Sequence, residues 1–347
     1  MGKKFISIIW GYHRQIFSFD KKQNYHMLPL EAMQEEWFDC EIFAIDSEVQ
    51  IQEDPNFIKW VKVIYYKNVF EYLYYLFKNR REIIYSNSLT IKTLLVWLIW
   101  KKTVFMAHDQ VLPLETKKMK REMVLFFYKF FSFIRVINSG EYRLLHNESI
   151  HSHVLPLSIS DEFYSENTKR DNLIFVWNLY FDKNPGFLLE TMRSVLLYFP
   201  NISLHIYWED RYNDNWKNFQ DVVNEYWLAK NIIVHWFVPH NELKEVFQHS
   251  LIYINTSISE WQCLAVYEAW LSWCVLCLQN ILSFPSVFWD QALYHDTHED
   301  LSKNIIQVLN NKHLFLDIVK RNQKMILEKY NYNYIKNQTK EMFLKLN

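Results

Sequence analysis

Glycine is scarce in this chain, which has only 4 among 347 residues, about 1% against roughly 7% in average proteins. The dinucleotide fingerprint, the Walker phosphate loop and the glycine-rich loop of kinases all require closely spaced glycines. The four glycines, at positions 2, 11, 140 and 186, are far apart. The sequence therefore excludes a nucleotide site built on a glycine loop, but not one built from side chains and helix ends.

Net charge, cysteine and long apolar runs are also limited. The 38 basic and 39 acidic residues give a formal charge of −1, which offers no broad positive field for nucleic acid. The longest apolar stretch, residues 93–100, falls well short of the roughly 20 residues that span a bilayer. Four scattered cysteines and the absence of a signal-peptide pattern favour reduced thiols. We expect a cytoplasmic protein that neither binds nucleic acid nor spans a membrane.

What the chain does have is a regular alternation of strand and helix patterns. Runs of β-branched and aromatic residues predict strands at 5–10, 40–45, 61–66, 83–88, 103–108, 135–138, 153–157, 173–179, 203–207, 232–238, 251–255 and 275–278. Helical patterns cover 25–37, 69–78, 89–100, 116–133 and 185–197, among others. This alternation predicts an α/β protein with two Rossmann-like, doubly wound parallel sheets and a ligand cleft between them.

Two glutamates mark the most informative segment, Asn255–Cys277. Glu260 and Glu268 are eight residues apart, so in a helix they share one face, just over two turns apart. Ser257 or Ser259 is expected to cap this helix, and the amides of residues 261–264 would form an anion site suited to a diphosphate. The alternative is two ordinary glutamates on a helix whose apolar face is core.

Several segments resemble the retaining glycosyltransferases of family 4, which have the two-lobed GT-B architecture. The glutamates resemble that family's E-x7-E element, and residues 173–186 resemble its G-R-x5-K-G/N segment. Further resemblances, in the same order as in the family, lie at 103–109, 153–163, 231–239 and 242–257. Lys183 and Asn184 match the family pattern. Trp177 and Asn178 stand where glycine and arginine are usual, and Trp261, Leu264 and Trp273 stand where glycine is common.

The resemblance implies a role for each matching residue. Glu260 would hold hydroxyls of the donor sugar, Glu268 the ribose hydroxyls, and Lys183 the charge of the departing diphosphate. His108 would approach the donor sugar from the N-terminal lobe, and Gly11 would allow a close backbone approach. The donor site would also include Asn178, Trp261, Gln262, Cys263 and Leu264.

The resemblance also implies domain boundaries. Residues 1–164 would form an N-terminal, acceptor-side domain, joined by a C-terminal helix at about 325–347 that packs back onto it. Residues 165–324 would form the nucleotide-sugar-binding domain. The polar segment 165–171 fits a linker.

The predicted function is metal-independent, retaining transfer of a sugar from a nucleotide-sugar to a glycan or lipid-linked acceptor, with no other cofactor. No DxD triplet is present, and neither Cys274 with Cys277 nor the histidine pairs 151/153 and 295/298 complete a recognisable metal site. The alternative function is that of a catalytically degenerate GT-B protein that binds a glycan, a nucleotide or a partner transferase. Asn178 and the missing glycines favour this alternative.

The predicted helix near residues 117–133 places four basic residues before an aromatic block. This pattern suits a peripheral contact with the inner face of a membrane. The alternative is that Phe126, Phe127, Phe130, Phe131 and Phe133 form a stripe that faces the core.

Overall fold

A computed structural model of the chain describes residues 3–9, 27–45, 61–86, 103–106, 118–165, 172–178, 184–209, 219–235, 238–258, 260, 263–281 and 283–346. By its internal contacts the chain divides into two compact units. The first contains Met1–Ile159 and Tyr330–Asn347, and the second is Ser160–Lys329.

The first unit is built on a seven-stranded, fully parallel sheet in the order β3-β2-β1-β4-β5-β6-β7. Its strands are β1 Lys4–Ile9, β2 Asp39–Ile45, β3 Lys62–Tyr66, β4 Ile83–Ser86, β5 Thr103–Met106, β6 Phe133–Val136 and β7 Ser152–Val154. The central strand β1 buries Phe5, Ile6 and Ile8 completely. Residues on both faces of β1 are buried, as expected for a parallel sheet covered by helices on both sides.

The helices of the first unit are α1 Met27–Gln34, α2 Val69–Lys78, α3 Lys118–Tyr128, α4 Ser139–Asn147 and the last helix of the chain, α12 Tyr332–Leu344. Helix α12 packs against α1. Two ion pairs join α12 to the turn just after α1, from Lys336 Nζ to Glu35 Oε1 and from Lys340 Nζ to Glu36 Oε1, each at 2.5 Å. The end of the chain is therefore part of the first unit.

The buried guanidinium of Arg135 is hydrogen-bonded within the first unit. Arg135 on β6 is almost completely buried. Its guanidinium donates to the carbonyls of Leu155 and Pro156 and to the Tyr85 hydroxyl, at 2.9, 3.1 and 3.1 Å. Such bonds offset the cost of removing a cation from water. Arg135 thereby ties the chain after β7 to β6 and β4.

The second unit has a six-stranded parallel sheet in the order β10-β9-β8-β11-β12-β13. Its strands are β8 Asn172–Asn178, β9 Leu204–Glu209, β10 Ile232–His235, β11 Ser250–Asn255, β12 Val275–Gln279 and β13 Leu293–His295. Its helices are α5 Pro185–Leu196, α6 Phe219–Glu225, α7 His240–Gln248, α8 Leu264–Leu271, α9 Ser283–Phe288, α10 His298–Asn310 and α11 Lys312–Tyr330. In both sheets the strand order reverses beside the first strand of the unit, which is the doubly wound pattern. The predicted α/β fold class is confirmed.

Some predicted elements differ in extent from those observed. The helix expected to reach residue 133 ends at Tyr128, because Phe133 already begins β6. On α3, Phe126 is exposed rather than part of a core stripe, whereas Phe131, just beyond the helix, is buried. Strand β13 was not predicted. The helix expected at 89–100 lies outside the described residues.

Four helices end in a left-handed residue that is tryptophan. Trp37, Trp227, Trp273 and Trp289 have φ between 49° and 69°. The residue that follows Trp37, Trp227 or Trp273 donates its N–H to the carbonyl five residues before it, which is the Schellman pattern. At the fourth helix end, the backbone N–H of Trp289 itself donates to the carbonyl of Pro285, four residues before it, as in the simpler αL motif. These positions usually hold glycine.

Candidate functional site

The candidate site lies at the carboxyl end of the second unit's sheet, where the strand order reverses. Strands β8 and β11 are neighbours there and end at Asn178 and Asn255. Ligands of open α/β sheets bind outside the carboxyl ends of strands at this point. Glu260 and Glu268 both follow β11 in the chain, so the topology brings the predicted glutamate segment to this edge.

The turn after β11 is held by polar side chains that are themselves buried. The side-chain oxygen of Asn255 accepts the amide of Ser257 at 3.0 Å. The hydroxyl of Ser257 donates to Glu260 Oε1 at 2.9 Å. Asn255 and Ser257 are almost completely buried, whereas Glu260 is half-buried. The Glu260 carboxylate is therefore positioned by a buried hydroxyl.

The helix that follows starts later than the sequence predicted. Its N-cap is Cys263 and α8 begins at Leu264, so the cap is not Ser257. The Ser257 hydroxyl bonds Glu260 instead. Ser259 lies outside the described residues. The first-turn amides that can meet an anion therefore shift from residues 261–264 to the start of α8.

Glu268 lies one turn into α8 and is almost completely buried. His240, the first residue of α7, places Nε2 2.9 Å from Glu268 Oε1. About half of the His240 side chain is exposed, and its ring packs against Phe163 at 5.2 Å between centroids. A buried carboxylate requires such a partner. His240 was not predicted from the sequence, although its place at a helix start after β10 was a usable signal.

Cys263 links the turn to the strand that precedes it. Its Sγ lies 3.8 Å from the side-chain nitrogen of Asn255 and 3.9 Å from the hydroxyl of Tyr253. Burial raises the pKa of Tyr253 well above its ordinary value of 10, so this hydroxyl keeps its proton. Cys263 and Leu264 are both half-buried, so the predicted donor-contact residues at the helix start remain partly accessible.

A second connection reaches the segment that carries the predicted lysine. The hydroxyl of Thr256 donates to the backbone carbonyl of Asn184 at 3.3 Å. Asn184 is the N-cap of α5 and has a left-handed backbone, with φ 44°. Pro185 occupies the first helical position, as predicted. The residue after Lys183 is therefore fixed to the chain just past β11.

Several predicted site residues fall outside what the structure describes. These are Gly11, His108, Lys183, Trp261 and Gln262, together with the side chain of Asn178. All four cysteines are free, and three of them are buried. Among the described residues, no group of three or more histidines, cysteines or acids is arranged to hold a metal. No helix in the same ranges is long and apolar enough to cross a membrane.

Comparison with known proteins gives one match to a family model and a set of similar folds. Residues 159–329 match the family model of the glycosyl transferases group 1. Sucrose-phosphate synthase from Thermosynechococcus elongatus has a TM-score of 0.75 at 13% identity, covering 99% of both chains. Anabaena HepE in complex with UDP-glucose has a TM-score of 0.74 at 10% identity, again covering 99% of both chains.

A glycosyltransferase from Rickettsia africae has a TM-score of 0.74 at 11% identity and covers 99% of this chain and 98% of its own. No curated protein sequence matches significantly. At these identities the structural likeness establishes the fold alone, with two Rossmann-like units of the GT-B type. Together with the family match, it supports a GT-B glycosyltransferase.

Proposed function

We propose that the protein is a retaining, metal-independent glycosyltransferase that transfers a sugar from a nucleotide-sugar to a glycan or lipid-linked acceptor. The observation that carries this proposal is the pair Glu260 and Glu268. Both lie after the switch-point strand β11, inside the segment that matches the group 1 family. Each is bonded to a second side chain that orients its carboxylate, Ser257 or His240.

Glu268 would bind the ribose hydroxyls of the donor. A carboxylate has more acceptor positions than one histidine can occupy, so Glu268 can also accept from two neighbouring hydroxyls. Its bond to His240 holds Oε1 in place before the donor arrives. A carboxylate held in advance loses less conformational freedom on binding than a mobile one.

Glu260 would bind hydroxyls of the donor sugar, held by Ser257 on one side. The amides at the start of α8, around Cys263 and Leu264, would receive the diphosphate with help from the helix dipole. This arrangement needs no glycine loop. Gln262 and Trp261, next to Glu260 in the chain, would complete the donor pocket.

Lys183 would offset the charge that builds on the diphosphate as the bond from the sugar carbon to the phosphate oxygen breaks. The bond from Thr256 to Asn184 supports this role because it restrains the residue next to the lysine. A donor phosphate oxygen would take the proton of the acceptor hydroxyl while the new bond forms on the same face of the sugar. His108, Asn178 and Gly11 would contact the donor or acceptor, and no protein nucleophile is needed.

The decisive experiment is a transfer and hydrolysis assay with a panel of UDP-, GDP- and ADP-sugars. Proton NMR of the product would show whether the anomeric configuration of the donor is retained. UDP-sugars come first because the similar protein HepE was solved with UDP-glucose. Glu260→Gln should lose turnover with the productive donor. Glu245→Gln, on the exposed side of α7, is the matched control and should not.

The competing function, a degenerate GT-B protein that binds without catalysis, predicts a different result in the same assay. Nucleotide-sugar binding would be measurable by calorimetry, and turnover would be absent with every donor. Inverted product would overturn the retaining mechanism while leaving sugar transfer intact. Turnover that ends on addition of a chelator, and returns with a divalent ion, would overturn metal independence.

We also propose a peripheral membrane contact through residues 117–133 of this cytoplasmic enzyme. On α3, Met123 and Phe126 are exposed, and Arg121 and Lys129 line a groove of about 320 Å³. Vesicles of phosphatidylglycerol should pellet the protein in a salt-sensitive way, and vesicles of phosphatidylcholine should not. Equal recovery with both, or no recovery, would remove this contact.

A further inference from the structure

The residues with a left-handed backbone at the helix ends are of a type that this conformation disfavours. Six non-glycine residues in the described part of the chain have positive φ, and four of them are tryptophan: Trp37, Trp227, Trp273 and Trp289. A side chain at such a position crowds the neighbouring carbonyl, and asparagine or aspartate tolerates this better than a large residue. Glycine is the residue that a Schellman or αL helix end selects.

Burial does not compensate for this strain at three of the four positions. Trp37, Trp227 and Trp289 are 91%, 93% and 73% exposed. A buried indole usually donates its N–H to a hydrogen bond. Trp270, which is not one of the four left-handed residues, is buried, and its Nε1 has no hydrogen-bond partner among the described residues. Of the four left-handed tryptophans, Trp273 is the buried one, and its indole N–H donates to Gln323 at 2.6 Å.

The sequence also places tryptophan where glycine is usual, independently of the structure. Trp177, Trp261 and Trp273 stand at motif positions where the resembled family has glycine. The chain has 14 tryptophans and 4 glycines, whereas ordinary proteins contain far more glycine than tryptophan. Trp273 belongs to both sets of observations, since it is a motif position and a left-handed helix end.

We propose that these tryptophan positions are glycine in the protein that its native cell makes. One cause accounts for all of them. The codon UGA is a stop signal in the standard code, tryptophan in some variant codes and glycine in others. A gene that uses UGA for glycine, translated with a code that reads UGA as tryptophan, gives a chain poor in glycine with tryptophan at its tight turns. The proposal does not rest on the proposed activity.

The exchange also bears on the candidate site. Glycine after Glu260 would restore the usual start of the E-x7-E element, and glycine at the position of Trp177 would restore the segment that leads to Lys183. Most of the sequence departures that favour a catalytically degenerate protein would then be absent from the native protein. Only Asn178, where arginine is usual, and Leu264 would remain.

The gene and the native protein test the proposal directly. We expect TGA at the codons for Trp37, Trp227, Trp273 and Trp289. Peptide mass spectrometry of protein isolated from its native source should then show the mass of glycine at each position. TGG at these codons, which encodes tryptophan in all of these codes, would overturn the proposal. TGA codons with peptides of tryptophan mass would overturn it as well.

A stability measurement on the tryptophan-containing chain tests whether these positions favour glycine. Trp227→Gly should raise the thermal unfolding midpoint of its unit by roughly 2–4 °C, because it removes left-handed strain at an exposed residue. The matched control is Leu197→Gly. Leu197 is also apolar and mostly exposed, and it ends α5 with a right-handed backbone, so the midpoint should fall. A midpoint that falls in Trp227→Gly would contradict a glycine position there.

Discussion

The two sheets share one strand order over six strands, but buried polar residues have different partners in the two units. In the first unit, Arg135 is bonded on all sides to groups of the fold. In the second unit, Asn255, Ser257 and Glu268 are equally buried, but they lie in the segment that runs from the end of β11 into α8. The difference indicates that one topology can use buried polar groups either to hold the sheet together or to fix the orientation of carboxylates that follow a strand end.

The largest effect should come from removing the buried cation that is hydrogen-bonded within the first unit. Arg135→Met would leave two carbonyls and the Tyr85 hydroxyl without their donor, at a cost of about 3–5 kcal/mol in the free energy of unfolding. Urea unfolding followed by circular dichroism measures this change. Arg143→Met, at an exposed site on α4, is the control. A loss below about 1 kcal/mol in Arg135→Met would show that these bonds do not hold the first unit.

The next effect should separate binding from stability. Glu268→Gln keeps the shape of the side chain but removes the charge that would meet the ribose, so kcat/KM should fall by about 10- to 100-fold, or 1.4–2.8 kcal/mol. The unfolding midpoint should stay close to that of the parent. Steady-state kinetics with the productive donor, beside Glu245→Gln, checks this. A large drop in stability with unchanged kinetics would assign Glu268 to the fold instead.

The two units should respond to pH in opposite directions. Burial raises the pKa of Glu141 from 4.5 to about 7, so its unit loses stability as the pH rises through that window. Burial lowers the pKa of His295 from 6.5 to about 4, so its unit loses stability as the pH falls through that window. Each contribution is on the order of 3 kcal/mol.

Unfolding of the parent, Glu141→Gln and His295→Gln at several pH values between 4 and 8 measures both slopes. Hydrogen exchange, which does not depend on tryptophan fluorescence, reports the stability of each unit separately. Glu141→Gln should flatten the response of the first unit alone, and His295→Gln that of the second. Parallel slopes in the two units would remove the contrast.

The smallest effect concerns a positioning residue. Thr256→Val removes the bond to the carbonyl of Asn184 and should lower kcat by roughly 2- to 10-fold, with KM little changed. Thr256→Ser keeps the hydroxyl and should restore most of the rate. If serine fails to rescue, the methyl group of Thr256 matters more than its hydrogen bond.

Much of the fold could be read from the sequence because parallel strands are continuous apolar runs. Strand β11 and helix α2 were predicted within a residue of their observed bounds. Strand β13 was missed because Leu293–His295 is only three residues long, too short for a periodic pattern. Periodicity could not show where α3 ends, since the same aromatic residues suit the helix and the strand after it.

The site was predicted less completely than the fold, because its details depend on contacts between distant residues. His240 and Glu268 are 28 residues apart in the chain and meet only in the folded unit. The start of α8 was misplaced because Asn255 takes the Ser257 amide and the Ser257 hydroxyl goes to Glu260. Such local competition between side chain and backbone is not visible in a hydrophobic pattern.

The packing of α12 against α1 has a consequence for synthesis on the ribosome. Residues 330–347 belong to the first unit, whereas 160–329 form the second. The second unit therefore has its whole sequence available before the first has received its last helix. Domains generally fold as units while the chain emerges. The N-terminal unit, although translated first, is the one completed last, and until then the surface of α1 that receives α12 is left to the solvent or to chaperones.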